Sequence, residues 1–238
     1  FEPVENNMKR GTLYAVGVGP GKAGHLTLLA AETLRACPVI AAPRTGGGHM
    51  LALEIAQKAV PLADKTVLPL DFAMKRGEAE REIAYAAAER ALCAVLDAGQ
   101  DIALVNLGDV SIYASGQYLL ERIRQKGYAA VMVPGVPSFC AAAARLGISL
   151  TDMQSPVHLV PGEADLAQAL DWPGTKILMK TGRSLPGVLQ LLAQRQLLEK
   201  SALVCDCGLA AERVWPNLAN EQPARGETGY FALVIVKE

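Results

Sequence analysis

The stretch Ile102-Ala-Leu-Val-Asn106-Leu-Gly108-Asp109-Val-Ser111-Ile-Tyr113 constrains the fold more than any other part of the chain. Its first half is a short apolar run that reads as a strand buried on both faces, the pattern of a parallel sheet covered by helices. The run breaks abruptly at Gly108-Asp109. In open α/β sheets, ligands bind outside the carboxyl ends of the strands. A glycine that lets backbone approach closely, followed by an acidic residue and small polar groups, is therefore placed at a ligand. The alternative is an ordinary strand-to-helix turn in which Asp109 caps a helix starting near Ala114.

The flanking sequence repeats the same alternation. Leu13 to Val18 reads as a first strand, running through Gly17-Val-Gly19-Pro20-Gly21-Lys-Ala-Gly24 into a helix over Leu26 to Arg35. Val39 to Ala42 is a second strand ending at Pro43-Arg44, followed by the loop Gly46-Gly-Gly48 and a helix from His49 to Lys58. Val67 to Leu70 is a third short strand, then comes Asp71-Phe-Ala-Met-Lys75-Arg76 and an Ala-rich helix from Glu78 to Asp97, stopped by Gly99. After the central strand, a helix over Ser115 to Lys126 leads to a strand over Ala129 to Val133 and a helix with Ser138 at its N-cap. This predicts an N-terminal α/β domain over residues 9–150, with the polar segment Thr151 to Ser155 as linker.

A smaller C-terminal α/β domain is expected over residues 155–238. Its strands are Val157 to Val160 and Thr175 to Lys180, its helices Asp165 to Leu170 and Leu185 to Gln194, and its late, hairpin-like strands Ser201 to Gly208 and Gly229 to Val236. Residues 1–8 read as a tag or disordered lead, with Met8 as the natural start.

Several chemistries are excluded. The net charge of -1, with no Lys/Arg run, argues against nucleic acid or an anionic membrane as partner. No apolar stretch approaches the roughly 20 residues of a membrane span. Five scattered cysteines suit reduced core thiols and a cytoplasmic protein, and Cys205-Asp206-Cys207 is expected to turn both thiols to one face of a strand. The three histidines, His25, His49 and His158, stand at no metal-ligand spacing, so no bound metal is expected. The N-terminal glycines fit neither a dinucleotide fingerprint nor a P-loop, and Pro20 lacks an amide that could cradle a phosphate. No serine nucleophile elbow is legible.

What remains is a set of strand-end turns at Gly19-Pro20-Gly21, Leu107-Gly108-Asp109, Pro137-Ser138-Phe139, Lys180-Thr181-Gly182 and Cys207-Gly208. If both sheets present them to one cleft, they would wrap a polar, medium-sized ligand largely through backbone groups. Such a site suits a cofactor that carries its own reactive group.

Gly17-Val-Gly-Pro-Gly21, Gly108-Asp-Val-Ser-Ile-Tyr113, Pro134-Gly-Val-Pro-Ser-Phe-Cys-Ala-Ala-Ala-Ala-Arg-Leu-Gly147 and the closing Tyr230-Phe-Ala-Leu together resemble the tetrapyrrole methylase family. Within it the likeness is greatest to the C20-methyltransferases of the corrin pathway. The resemblance implies the class III methyltransferase fold, two α/β domains with S-adenosylmethionine in the cleft between them, in a homodimer. It implies methyl transfer to C20 of precorrin-2 or of cobalt-factor II in vitamin B12 synthesis. Carried over by position, Pro20, Leu107, Gly108, Asp109, Ile112, Ser138, Phe139, Met179, Lys180, Cys207 and Gly208 would contact the cofactor. Val110 and Gly229 stand where many relatives have proline, which bears on loop shape.

A sulfonium methyl needs alignment with an electron-rich carbon, and holding both reactants in attack geometry can remove about 7 to 11 kcal/mol of barrier. The proton lost after methylation could pass to Asp109 or to water. The substrate's carboxylates call for cations, and Arg44, Lys75, Arg76 and Arg183 lie on expected loops near strand ends. His49 could reach a metal held by the substrate. The alternative functions are methylation at another corrin carbon or of uroporphyrinogen III, and a non-catalytic tetrapyrrole-binding module.

Overall fold

A computed structural model describes residues 10–44, 47–71, 77–162, 164–224 and 226–237. The lead segment 1–8 lies outside them, as do Lys75 and Arg76. The chain divides into two compact units, one up to Pro137 and one from Ser138.

In the first unit the chain forms β1 (Leu13–Gly17), α1 (Leu28–Ala36), β2 (Val39–Arg44), α2 (Leu51–Ala59), β3 (Thr66–Asp71), α3 (Glu78–Asp97), β4 (Ile102–Asn106), α4 (Ser115–Gln125) and β5 (Ala130–Val133). The strands make one parallel sheet in the order β3-β2-β4-β1-β5. Each crossover lays a helix on the sheet, so the middle strands lose water on both faces, and all five residues of β4 are buried. β4 lies beside β1 with Leu13 opposite Ile102 and Gly17 opposite Asn106. The chain leaving β1 winds toward β2, and the chain leaving β4 winds the opposite way, toward β5. The pair β1/β4 is thus the point where winding reverses, and its carboxyl edge is where such sheets leave a crevice.

Helices pack through stripes at helical spacing. Leu92 and Leu96 of α3 and Leu119, Leu120 and Ile123 of α4 are buried with Leu104 of β4 in one core. Helix ends follow local chemistry: Thr27 accepts the Ala30 amide at the start of α1, and Gly99, at φ 76°, turns the chain out of α3. Between α3 and α4, the buried Glu89 takes Arg122 Nε at 2.5 Å and Lys126 Nζ at 3.0 Å, while Arg122 also forks onto Glu82.

The second unit contains α5 (Ser138–Leu146), β6 (Val157–Pro161), α6 (Leu166–Ala169), β7 (Thr175–Met179), α7 (Leu185–Gln194), β8 (Ser201–Cys205), β9 (Arg213–Trp215) and β10 (Ala232–Val236). Its sheet runs β6-β7-β10-β8-β9, with β10 antiparallel to both neighbours and fully buried. Leu178, Leu192, Leu203, Trp215 and Val234 fill its core.

The structure refines the expected second unit in three places. The last strand pairs antiparallel with β8, as the late hairpin-like strands should, but it also pairs with β7 and so lies in the middle of the sheet, where its all-apolar sequence is covered on both sides. The strand β9, too short to show a period, went unseen. The Cys205-Asp206-Cys207 alternation ends at Cys205, since Asp206 adopts φ 50° and starts a turn. No helix among the described residues is long and apolar enough to cross a membrane.

Candidate functional site

In the first unit, three strand ends meet with almost no side chain between them. Gly108 follows β4 at φ 71° and exchanges two backbone hydrogen bonds with Gly19, its amide donating to Gly19 O at 2.9 Å and its carbonyl accepting from Gly19 N at 3.1 Å. A Cβ on Gly17 would lie 2.7 Å from Gly108 O and 2.7 Å from the Gly135 amide N. One on Gly135 would lie 2.2 Å from Gly108 O. Only glycine permits these approaches, so the ends of β1, β4 and β5 form a surface of bare main chain.

Asp109 holds that surface in shape. Its Oδ2 accepts the Gly135 amide at 2.8 Å, and its Oδ1 accepts the Ser111 amide at 2.8 Å and the Ser111 hydroxyl. Partial burial pushes the carboxyl upward in pKa, but the donors from Ser111 and Gly135 outweigh it and hold it below the usual carboxylate range. The capping alternative is overturned: Ala114 occupies the N-cap of α4 and no side chain caps it. Asp109 instead reaches across the sheet edge to the turn after β5. Leu107 and Ile112 are half-buried beside it, Pro20 is buried, and Tyr113 is held at φ 49°.

The second unit gathers its own strand ends. β7 and β8 both run antiparallel to β10, so Met179-Lys180 and Cys205 to Gly208 emerge at one edge, where Ala232 enters the sheet. Thr181 donates its amide and its hydroxyl to Ala232 O, at 3.3 and 3.1 Å, and the Asp206 amide donates to Phe231 O at 3.1 Å. Lys180, at φ 60°, and Asp206, at φ 50°, both take the left-handed conformation that side chains resist. Burial raises the Asp206 carboxyl. Ser138 and Phe139 open α5, half-buried. Cys207 is buried and Gly208 follows at φ 80°.

Two of the four expected substrate cations can be placed, one in each unit. Arg44 is the last residue of β2, not a loop residue, and faces Asp71 across the β2/β3 register. Its Nε and Nη2 bond the two carboxylate oxygens at 2.7 and 2.6 Å, which raises the guanidinium and lowers the carboxyl. Arg183 is exposed in the turn after β7. His49 is exposed, its Nδ1 3.7 Å from Glu54. Among the described residues no cluster of His, Cys, Asp or Glu could hold a metal.

Sequence reasoning missed Glu212. Its Oε2 accepts the Gly208 amide at 2.7 Å and its Oε1 accepts Arg145 Nε of α5 at 2.6 Å. A carboxylate four residues past a glycine turn was the available signal, but its second partner lies 67 residues away.

In sum, the first unit offers a backbone-lined edge at which the Asp109 carboxylate is engaged by the turns it braces. That arrangement can grip and orient a ligand, and it leaves the bond-making to the ligand. The family model described as tetrapyrrole (corrin/porphyrin) methylases matches residues 12–222. A cobalt-precorrin-2 C(20)-methyltransferase of Salmonella typhimurium is 32% identical over 233 residues, spanning 96% of this chain and 97% of that protein. A precorrin-2 C(20)-methyltransferase of Sinorhizobium sp is 28% identical over 241 residues, covering 95% of each chain. Among solved structures, a uroporphyrin-III C-methyltransferase from Thermus thermophilus superposes with a TM-score of 0.69 at 26% identity, over 96% of this chain and 92% of that one.

Proposed function

The chain belongs to the tetrapyrrole (corrin/porphyrin) methylases, and from that premise we propose that it methylates C20 of precorrin-2 or of cobalt-factor II in vitamin B12 synthesis. It is a C-methyltransferase that uses S-adenosylmethionine. The observation that carries the choice of position is the end-to-end 32% identity with the Salmonella typhimurium C(20)-methyltransferase.

S-Adenosylmethionine supplies an electrophilic methyl on its sulfonium. The chain's part is to bind and orient. In the first unit, Pro20, Leu107, Gly108, Asp109 and Ile112 form the proposed cofactor set, with Asp109 acting through the turn it braces. In the second, the set is Ser138, Phe139, Met179, Lys180, Cys207 and Gly208. The geometry of the first set supports this reading, since the carboxyl ends of β1 and β4 present main chain without obstructing side chains. No acid-base dyad is needed for methyl transfer to an electron-rich carbon. Both carboxylate oxygens of Asp109 are engaged by donors from Ser111 and Gly135, so Asp109 is assigned to bracing the turn, and the proton lost from C20 is assigned to water.

The substrate's carboxylates are assigned to Arg44 and Arg183, and to Lys75 and Arg76, which lie outside the described residues. Arg44 keeps one guanidinium nitrogen, Nη1, outside its fork with Asp71. The functional form is proposed to be a homodimer in the cytoplasm, which sedimentation at working concentration and fractionation of the source cells would check.

Methyl-labelled S-adenosylmethionine, incubated with precorrin-2, cobalt-factor II and uroporphyrinogen III in turn, tests the proposal. Label at C20 of either of the first two is expected, and their relative rates show whether cobalt is needed. Label at another carbon, or on uroporphyrinogen III, would assign the chain to a sister reaction. No label on any of the three would make it a binding module.

A further inference from the structure

We infer that Glu212 is a positioning residue for methyl-donor binding, coupling the Cys207-Gly208 turn to α5 through Arg145. The inference rests on the proposed function, because it concerns two stretches, Ser138-Phe139 and Cys207-Gly208, that carry proposed cofactor contacts within the second unit.

The turn after β8 is unusual in its demands. Asp206 and Gly208 both sit at positive φ, so the chain reverses sharply once the Asp206 amide has bonded Phe231 O. Leu209 N donates to Asp206 O at 2.9 Å and Glu212 N to Leu209 O at 3.1 Å, which carries the chain round to β9. The Gly208 amide has no partner in that ladder, and Glu212 Oε2 takes it at 2.7 Å. The orientation of the Gly208 peptide is therefore set by a side chain, not by the sheet.

Glu212 is itself held from the other side. Its side chain is 15% exposed, and its second oxygen receives Arg145 Nε at 2.6 Å from the last turn of α5. α5 contributes no strand to the sheet, so its register against the β8 turn depends on packing and on links of this kind. A carboxylate with one oxygen on each partner fixes both peptide direction and helix position, since charge-assisted bonds are short and directional. The Arg145 end is 52% exposed, so this pair contributes little to global stability, and geometry is what it can control.

The test compares E212A, E212Q, R145A and the double variant E212A/R145A with the wild-type chain. Binding of S-adenosylhomocysteine is followed by calorimetry, KM is measured for the donor and for the tetrapyrrole, and thermal melting reports folding. E212A is expected to weaken S-adenosylhomocysteine binding about tenfold, the scale of one charged hydrogen bond, and to raise the donor KM in step. The tetrapyrrole KM should stay unchanged. E212Q keeps an acceptor for the Gly208 amide and should recover part of the loss. R145A should lose less than E212A, and the double variant no more than E212A alone. Wild-type affinity in a folded E212A chain, or an equal rise in both KM values, would overturn the inference while leaving the proposed function standing. Failure of the wild-type chain to bind S-adenosylhomocysteine would overturn both.

Discussion

Asp109 Oδ2 accepts the Gly135 amide at 2.8 Å, joining the turn after β4 to the turn after β5 across the intervening strand β1. The two residues are 26 apart in the chain and lie in the two turns that carry the sequence's most specific likeness to the methylases. A charged acceptor for a backbone donor is a rigid link, and here it shapes a surface made of peptide groups.

Replacing Asp109 with alanine should therefore loosen binding more than it unfolds the chain. The expected cost is about 1 to 3 kcal/mol of stability from the orphaned donors, with a rise in the donor KM of about tenfold or more. D109N keeps one acceptor and should fall between. Urea unfolding and initial-rate kinetics on both variants check the order; a wild-type donor KM in D109A would remove the bracing role.

Acid titration should report the same carboxylate. The folded pKa of Asp109 is lowered relative to an unfolded value of about 3.9, so its contribution is complete above that pH and fades as pH falls through the folded value. Melting temperature followed from pH 6 downward should drop less steeply near and below pH 4 in D109N than in wild type. Parallel curves would show that the titration resides elsewhere.

Gly135→Ala tests the bare-backbone surface. The new Cβ would fall 2.2 Å from Gly108 O, against backbone that cannot swing aside. A loss of about 1 to 3 kcal/mol in urea unfolding is expected from such overpacking, together with loss of S-adenosylhomocysteine binding. Gly187→Ala serves as control, because a Cβ there meets nothing within 4 Å and helix propensity favours alanine in α7.

Removing Arg122 should expose a different dependence. Glu89 is buried between α3 and α4, and although burial raises its pKa, Arg122 and Lys126 together bring it below the ordinary value. R122A is expected to cost about 1 to 3 kcal/mol, less than a fully severed buried pair, because Lys126 stays. With its chief partner gone, Glu89 keeps less of the depression, and the stability that wild type keeps above an unfolded pKa of about 4.3 is reduced. Chemical unfolding of R122A at pH 7 and pH 4 should show the gap from wild type closing at the lower pH.

Arg44 and Asp71 separate substrate binding from folding. Both are on the surface, so D71N should leave the melting temperature unchanged. R44A should raise the tetrapyrrole KM and leave the donor KM alone, and R183A should do the same if its exposed turn meets substrate. Unaltered tetrapyrrole kinetics in R44A would restrict Arg44 to its partner Asp71.

Much of this was legible locally. The helix Glu78–Asp97 carries its own charges, periodicity and glycine stop, and the strand Ile102–Asn106 its own apolar run, so each could be placed without knowing its neighbours. Gly108 and the glycines around β1 could be marked as turn residues for the same reason. Asp109 could be singled out too, but its capping role and its bracing role differ only in which amide it meets. Arg44 showed a cation at a strand end, with no sign that β3 would set Asp71 opposite it. Glu212 carried even less, since it bonds residues as far apart as 208 and 145.

The sequence by itself determined most of the helices and strands and where the chain must turn. Side-chain periodicity, proline and glycine act within a few residues, so those properties are written locally. Tertiary structure decided the strand orders β3-β2-β4-β1-β5 and β6-β7-β10-β8-β9, and it brought Gly135 to Asp109, Asp71 to Arg44 and Arg145 to Glu212. Those partners come together only when distant strands pair, because a hydrogen bond depends on distance in space and leaves no mark in the spacing of residues along the chain.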